Sequence, residues 1–568
     1  KTVRGQIRSL SALCPNTPVV MLSSLAKGAD QICAQVAIEE KIGLIAVLPM
    51  PLDEYEKDFE GDDLENLKRL AGLADEVFVS PFEEEYREGR DFLYRQAGIY
   101  VARHSHILVA LWDGTPPVPG GCGTNEIVDI MLHGNTRMNH AGGFIADKGC
   151  VMHVPVMREN VRIAKQQEKN KDEKGTITAE IKDECAEKST SAGSVVYLGS
   201  EDVFRENLKR TEEFNCDVLR MNKRRRVKSR SKRAGEEACH ENGKVEKKET
   251  HHEAGFHRAT IDDVYDASDR LSLRGAREYK KCIALIAVMA TLLTMSFLLY
   301  DEANMHYLII LCGVMIAGVY AVNVTNCRRG FHRKYIQYRI LAEGLRVQKA
   351  LSSVRMDVQA SDLMPWSIQV ETPWIIRTMA AVNIGDSPHY PENSPASSGA
   401  RENASESALC DIFHIRWIKE QKEYHETVVK SATAKAKRND RIVKIAIGIT
   451  VAVYIAALIF EICIAGLFSG NSLMESDAAE SVRTIIKLCT GSLSAISLFT
   501  GSYYGKLSLE ERANDSRRMA ALYGEALERD ENGMDKGELC RTLAREELNE
   551  NGRWFAYKSI NGTDTPIS

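Results

Sequence analysis

No Cys-x-x-Cys pair occurs in this chain of 568 residues, although it holds 14 cysteines scattered from Cys14 to Cys540. Zinc ribbons and thioredoxin-like redox centres need such pairs, so neither is supported, and no metal site is expected. The thiols read instead as reduced groups facing a cytosol. A strong net charge is lacking too: 74 Lys and Arg stand against 79 Asp and Glu, a formal charge of −5. That argues against a protein held to nucleic acid by a global basic field. No apolar run opens the chain, so no signal peptide is visible at Lys1. With 44% hydrophobic and 27% charged residues, the chain is neither wholly disordered nor collagen-like. At ~150 residues per domain, its length allows roughly two to four domains.

Residues 1–157 read as α/β. Val3, Ile7, Leu10 and Leu13 have helical spacing, and 18–22 is a short buried strand. A helix from about Asp30 to Glu40 follows, then strands at 43–48, 77–79, 106–112 and 150–156. Strands alternating with helices predict a doubly wound parallel sheet, Rossmann-like, covered on both faces. Since the pattern opens on a helix, a strand preceding Lys1 is expected. Residues 158–255 are rich in Lys, Glu, Ser and Gly, and carry the run Lys-Arg-Arg-Arg-Val-Lys-Ser-Arg-Ser-Lys-Arg at 223–233. Only 195–220 has an apolar period there (Val195, Val196, Leu198, Val203, Phe204, Leu208, Phe214, Leu219), read as a final helix of this domain. The basic run reads as a solvated linker near a membrane, because no aromatics interleave with its charges.

Two apolar pairs follow. Residues 282–300 hold no charge over 19 positions, and at 1.5 Å per residue span about 28 Å, one hydrocarbon core. Residues 307–324 are nearly as clean, and the six residues between force a helical hairpin. A second pair, 445–468 and 488–507, is interrupted by Glu461 and enriched in Ser, Thr and Gly. Arg277, Lys280, Lys281, Arg328, Arg329 and Arg333 flank the first hairpin; Lys435, Lys437, Arg438, Arg441, Lys444, Arg512 and Arg517 flank the second. The turn 301–306 has Asp and Glu but no Lys or Arg. This bias predicts a multi-pass protein of the inner (plasma) membrane with both termini cytoplasmic. Residues 330–351, 410–437 and 508–557 read as cytosolic helices and 385–407 as a disordered insertion, so that two similar units suggest a duplication.

Two loops carry candidate chemistry. Ser23-Ser24-Leu-Ala-Lys27-Gly28-Ala-Asp30 follows a strand and opens a helix, and Pro119-Gly120-Gly121-Cys-Gly123-Thr124-Asn-Glu126 follows the strand ending at Trp112-Asp113. Small residues admit a ligand close to the backbone, and free amides at a helix start favour an anion. In a doubly wound sheet such loops converge on one crevice. The predicted ligand-binding set is Ser23, Ser24, Lys27, Gly28, Asp30, Asp113, Gly120, Gly121, Gly123, Thr124 and Glu126, with Arg95 and Arg103 nearby or as solvated helix charges. Each loop, taken alone, also reads as an ordinary tight turn.

The segment Ser24-Leu-Ala-Lys-Gly-Ala-Asp30, with Ala34 and Ala37, resembles the S-G-L-A-x-G-x-D signature of the DprA/Smf family. Pro119-Gly-Gly-Cys-Gly-Thr124 resembles the P-G-G-x-G-T loop of the LOG phosphoribohydrolases. With Leu48-Pro-Met-Pro-Leu-Asp-Glu-Tyr-Glu-Lys-Asp-Phe59 and Ala110-Leu-Trp-Asp-Gly114, residues 1–220 resemble the SLOG superfamily of Rossmann-like nucleotide sensors. That resemblance implies a nucleotide-derived ligand, and a first strand with a Gly-containing turn ahead of Lys1. The LOG hydrolases use a glutamate three residues after the Thr; here that position is Ile127 and the acid is Glu126. One residue rotates a helical side chain by ~100°, so sensing without turnover is preferred, with Glu126 the acid/base if the protein is an enzyme.

Tyr338-Arg339-Ile-Leu-Ala-Glu343-Gly-Leu-Arg346, Trp417-Ile-Lys-Glu-Gln-Lys-Glu-Tyr-His425 and Arg545-Glu-Glu-Leu-Asn-Glu-Asn-Gly-Arg-Trp554 resemble the SLATT family of two-transmembrane effectors, thought to form pores. Thr490, Ser494, Ser497 and Gly501 make one small, polar stripe that would line water or pack helices. Glu461 calls for a partner or a wet cavity, and Glu343 has intrahelical spacing to Arg339 and Arg346. The expected organisation is a SLOG-like domain (1–220), a charged linker (221–256), SLATT-like units (257–380 and 409–568) and an insertion (381–408). The resemblances imply a homo-oligomeric membrane effector of bacterial antiviral defence, gating a pore on a nucleotide signal, without a cofactor or nucleic acid. The alternatives are a membrane-tethered nucleotide N-glycosidase, and a channel or scaffold without a nucleotide ligand.

Overall fold

Apolar runs of four to six residues, bounded by turns, become the strands of the N-terminal region. The computed structural model describes residues 1–81, 89–116, 123–134, 149–156, 195–237, 258–302, 307–354, 356, 358–385, 417–467, 477–507 and 509–560. The chain forms two units: 1–267 with 340–410 and 540–552, and 268–339 with 411–539 and 553–568.

In the first unit, α1 (Thr2–Leu13) leads to β1 (Val20–Ser23), α2 (Ala29–Glu39), β2 (Gly43–Leu48), α3 (Leu52–Tyr55), α4 (Asp62–Leu73) and β3 (Glu76–Val79). The α5 helix (Arg90–His104) then leads to β4 (Leu108–Trp112), α6 (Thr124–His133), β5 (Cys150–Pro155), β6 (Val196–Gly199) and α7 (Glu201–Glu237). Strand β2 is buried at all six positions, as its unbroken run Gly-Leu-Ile-Ala-Val-Leu requires when both faces are covered.

The sheet is not one doubly wound array. Strands β1, β2 and β3 form one parallel sheet in that order, and β4, β5 and β6 a second. Within the second sheet β4 and β5 are parallel, but β5 and β6 are antiparallel, with His153 opposite Val196. An antiparallel neighbour does not need the crossover that a parallel pair requires. Residues 195–198, read above as the start of a helix, are extended instead. Val196 and Leu198 are buried and Tyr197 is half-exposed, an alternation of period two. The helix that follows continues to Glu237, through the basic run expected to be a linker. The expected insertion falls largely outside the described residues.

The first unit also holds the C-terminal half of α10 (Phe331–Ser353), with α11 (Ala360–Leu363), α12 (Trp366–Glu371) and α13 (Pro373–Val382). Arg103 on α5 pairs with Asp362 at 2.5 Å, both side chains largely buried. Arg377 donates to the Ser105 carbonyl at 3.1 Å, and Gly385 N–H donates to the Tyr100 hydroxyl at 3.0 Å. Arg103 is thus a packing charge of this junction. Arg346 reaches both Glu343 and the buried Glu547, so the i,i+3 pair read from sequence is one arm of a wider bridge. Arg339 pairs with Asp269, in the second unit.

The second unit contains most of α8 (Ile261–Glu302), α9 (Leu308–Arg329), α14 (Glu420–Leu467), α15 (Asp477–Leu507), α16 (Leu509–Glu531) and most of α17 (Lys536–Ile560). Among the described residues, four helices are long and apolar enough to cross a membrane, and at most 11% of each apolar window is buried within the protein. Side chains such as Ile310 (71% exposed) and Leu498 (68%) point outward. Exposed apolar area on this scale marks an interaction surface rather than a water-facing one. Helix α9 stops at Gly330, whose φ of +58° lets its N–H reach back to the Asn326 carbonyl at 2.9 Å. The chain turns there, and α10 packs against α8 where Gly275 meets the backbone of Tyr335 and Phe331.

A Cβ built at Gly275 would stand 3.2 Å from the Tyr335 backbone, which cannot swing aside as a side chain does. Gly275→Val is therefore expected to separate α8 from α10 and cost roughly 1–3 kcal/mol. The check is thermal unfolding in detergent, where the variant should melt lower than wild type and lower than Gly275→Ala.

Candidate functional site

The segment 23–30 is pinned by its own side chains. Ser23 Oγ accepts the Leu25 N–H at 3.1 Å, and the Tyr55 hydroxyl donates to the Ser24 carbonyl at 3.1 Å. Asp30, in the first turn of α2, accepts backbone N–H groups from Ala26 and Ser24, while burial raises its carboxyl above the usual range. Leu25 holds a left-handed φ of +55°. For a residue with a side chain this costs on the order of 1–3 kcal/mol. The fully buried Leu25 side chain, packed in the cluster that includes Leu48, Tyr55 and Phe59, offsets that strain. Gly28 turns the chain into α2 at a φ of +90°, with no side-chain cap at the helix start.

The second loop ends at Gly123, which opens α6 and likewise carries no side-chain cap. Asn125 Oδ1 accepts the Glu126 N–H at 3.0 Å. Gly120 and Gly121 lie outside the described residues.

Both loops reach one cavity of about 590 Å³. Ser23, Ser24, Asp30, Gly123 and Thr124 line it, so part of the set read from sequence is brought together at the carboxyl ends of β1 and β4. Lys27, Gly28, Asp113 and Glu126 do not line it. Lys27 pairs with Asp63 at 2.7 Å, and Asp113 accepts the Thr115 hydroxyl at 2.8 Å. Glu126 pairs with Arg95 at 2.6 Å, both side chains mostly buried. Sequence reading missed Tyr94, which lines the cavity, and Tyr55, which holds Ser24 in place. An aromatic in a helix carries no sign of the loop it will face.

Cys33 also lines the cavity, and burial pushes its thiol up to about 12, so it is a neutral packing group rather than a nucleophile. Among the described residues, no cluster of three or more His, Cys, Asp or Glu is placed to hold a metal. In the second unit, Thr490 Oγ1 donates to the Ile486 carbonyl at 2.9 Å and Ser494 is exposed. Ser497 is half-buried; the residues of α15 that approach a neighbour are the buried Ala495 and Gly491, the latter facing Leu298. Glu461 is within α14, but its side chain lies outside the description. Comparison with models of known families, with curated proteins and with solved structures finds no match to this chain.

At the amino end of β4, His104 and His106 line the same cavity. Burial, then the Arg103 charge, lowers His104 from 6.5 to about 3; burial, then Arg377, lowers His106 to about 4. Folded, both stay neutral at a pH where the unfolded chain is protonated. Stability contributed by their neutral forms is therefore present above pH 6.5 and is lost as pH falls towards about 3, at up to ~1.4 kcal/mol per pH unit for each group. Melting temperatures between about pH 7.5 and about pH 4 should fall with acid, and His106→Phe should flatten that slope.

Proposed function

We propose that the cavity mouth binds a phosphorylated, nucleotide-derived signal and that the four apolar helices carry the response in a membrane. The observation that carries the reading is a pair of helix starts, α2 and α6, without side-chain caps, at one cavity. The uncapped start of α2, with the positive ends of two helix dipoles, suits an anion. Ser24 and Thr124 add hydroxyls for a sugar or phosphate, and Gly123 permits close approach.

The resemblance of 1–220 to SLOG sensors and of the helical segments to SLATT effectors supports a sensor fused to a pore-forming element, of the kind used in bacterial antiviral defence. The Lys and Arg flanks support two hairpins in the inner membrane with both termini in the cytoplasm. Ligand would act by binding one membrane arrangement more tightly than another, in a homo-oligomer. The reading is of binding without turnover, since Glu126 is engaged by Arg95 and stands off the cavity lining.

The test is titration calorimetry of the detergent-solubilised protein against a panel of mono-, di- and cyclic nucleotides, with dye release from liposomes holding it. Micromolar binding and nucleotide-dependent release are expected. Ala29→Glu places a competing carboxylate at the start of α2 and should weaken binding at least ~10-fold. No binding across the panel defeats the sensor reading. Release of free base that is abolished by Glu126→Gln would replace it with hydrolysis.

A further inference from the structure

Like charges gathered in one place repel unless an anion joins them. In the second unit, four cations from four helices are gathered in this way: Lys280 of α8, Lys435 of α14, Arg512 of α16 and Lys558 of α17. Helix packing brings them together. Gly275 of α8 meets the backbone of Tyr335, and the Tyr335 ring stands edge-on to Trp554 of α17, with centroids 5.6 Å apart. Lys280 follows Gly275 by between one and two helical turns, and Lys558 follows Trp554 by about one. Helix α14 packs along α16, and Arg512 of α16 faces Tyr335. Arg512 and Lys435 come within electrostatic reach of Lys280, and Lys280 and Arg512 within reach of Lys558, where Glu511 offsets one of the four charges. Among the described residues, the exposed Lys280, Lys435 and Arg512 make no ion pair. Other lysines of the same helices do: Lys281 pairs with Glu278 at 3.1 Å, and Lys444 with Asp440 at 2.7 Å.

We propose that this cluster holds the phosphate of an anionic phospholipid. Its place along the helices selects a lipid over a free anion. Lys280 stands at the foot of the charge-free run 282–300, and Arg512 soon follows the apolar run that ends at 507. When those runs fill a hydrocarbon core, the cations lie at the level of the headgroups. Beyond Lys280 along α8, the exposed Leu285, Val288 and Leu292 offer an apolar face to acyl chains. Tyr335 and Trp554 are the kind of side chain that settles at such an interface. Because Lys558 comes from the last helix and Lys280 from the first apolar one, a bound headgroup would tie α17 to α8 and α16. The inference rests on the membrane reading proposed above and not on the nucleotide.

The experiment reconstitutes the full chain in liposomes of phosphatidylcholine and phosphatidylglycerol in equal amounts, extracts it in mild detergent and reads the retained lipid by native mass spectrometry. Phosphatidylglycerol should be retained at least ~10-fold over phosphatidylcholine. Lys280→Gln combined with Arg512→Gln should abolish the preference, whereas Lys281→Gln combined with Lys444→Gln should keep it. Since the first pair of substitutions breaks no ion pair, that variant should melt no lower than wild type in lipid-free detergent. Glycerol phosphate, the same anion without acyl chains, should not displace the lipid. Equal retention of the two lipids, an equal loss of preference in both variants, or displacement by glycerol phosphate overturns the site while leaving the membrane reading intact. A chain that stays out of the liposomes overturns both.

Discussion

Helix α5 holds the N-terminal region together, because among the described residues the two sheets share its packing and no ladder. Ile99 and Ala102 pack in the cluster of β4, β5 and β6, while Tyr100 and Val101 pack with Ile45, Val47 and Phe78 of the other sheet. One turn of helix thus serves both cores. Gly98 is part of the same contact, its missing Cβ leaving room for Ile127 of α6. The relative placement of the two loops at the cavity depends on this helix.

The same helix explains the charge pattern around it. Arg103 and His104 stand at its end, where backbone carbonyls lack intrahelical partners. Arg103 is neutralised by Asp362, and His104 stays uncharged by burial and stacks on Tyr100 at 4.0 Å. A buried cation without its carboxylate would destabilise far more strongly than the pair stabilises. The helices of 360–385 are therefore part of how the α/β unit keeps a charged helix end dry, although they follow the apolar hairpin in sequence.

Much of the local structure was legible. The strand at 43–48 announces itself as an unbroken β-branched and aliphatic run, that at 150–156 as a short apolar run around His153, and the apolar helices by their length. Residues 195–198 were not, because Val-Val-Tyr-Leu fits either period when read with the helix that follows. The break between the sheets was illegible, since no strand carries a record of which neighbour it lacks. At the candidate site, Ser23, Ser24 and Thr124 could be found from their place between a strand and a helix. Lys27 could not be excluded, because its partner Asp63 is remote in sequence and meets it only through folding.

The buried side chain of Leu25 has a consequence for recognition. Its unusual backbone geometry is enforced by the hydrophobic core under it, which exists whether or not anything occupies the mouth of the cavity. The loop is therefore preorganised: under the function proposed above, a ligand would find the Ser23 and Ser24 positions already set and would lose little affinity to ordering them. Replacing the leucine by glycine would keep the turn accessible but release it from the core, so that the proposed ligand would first have to arrange it.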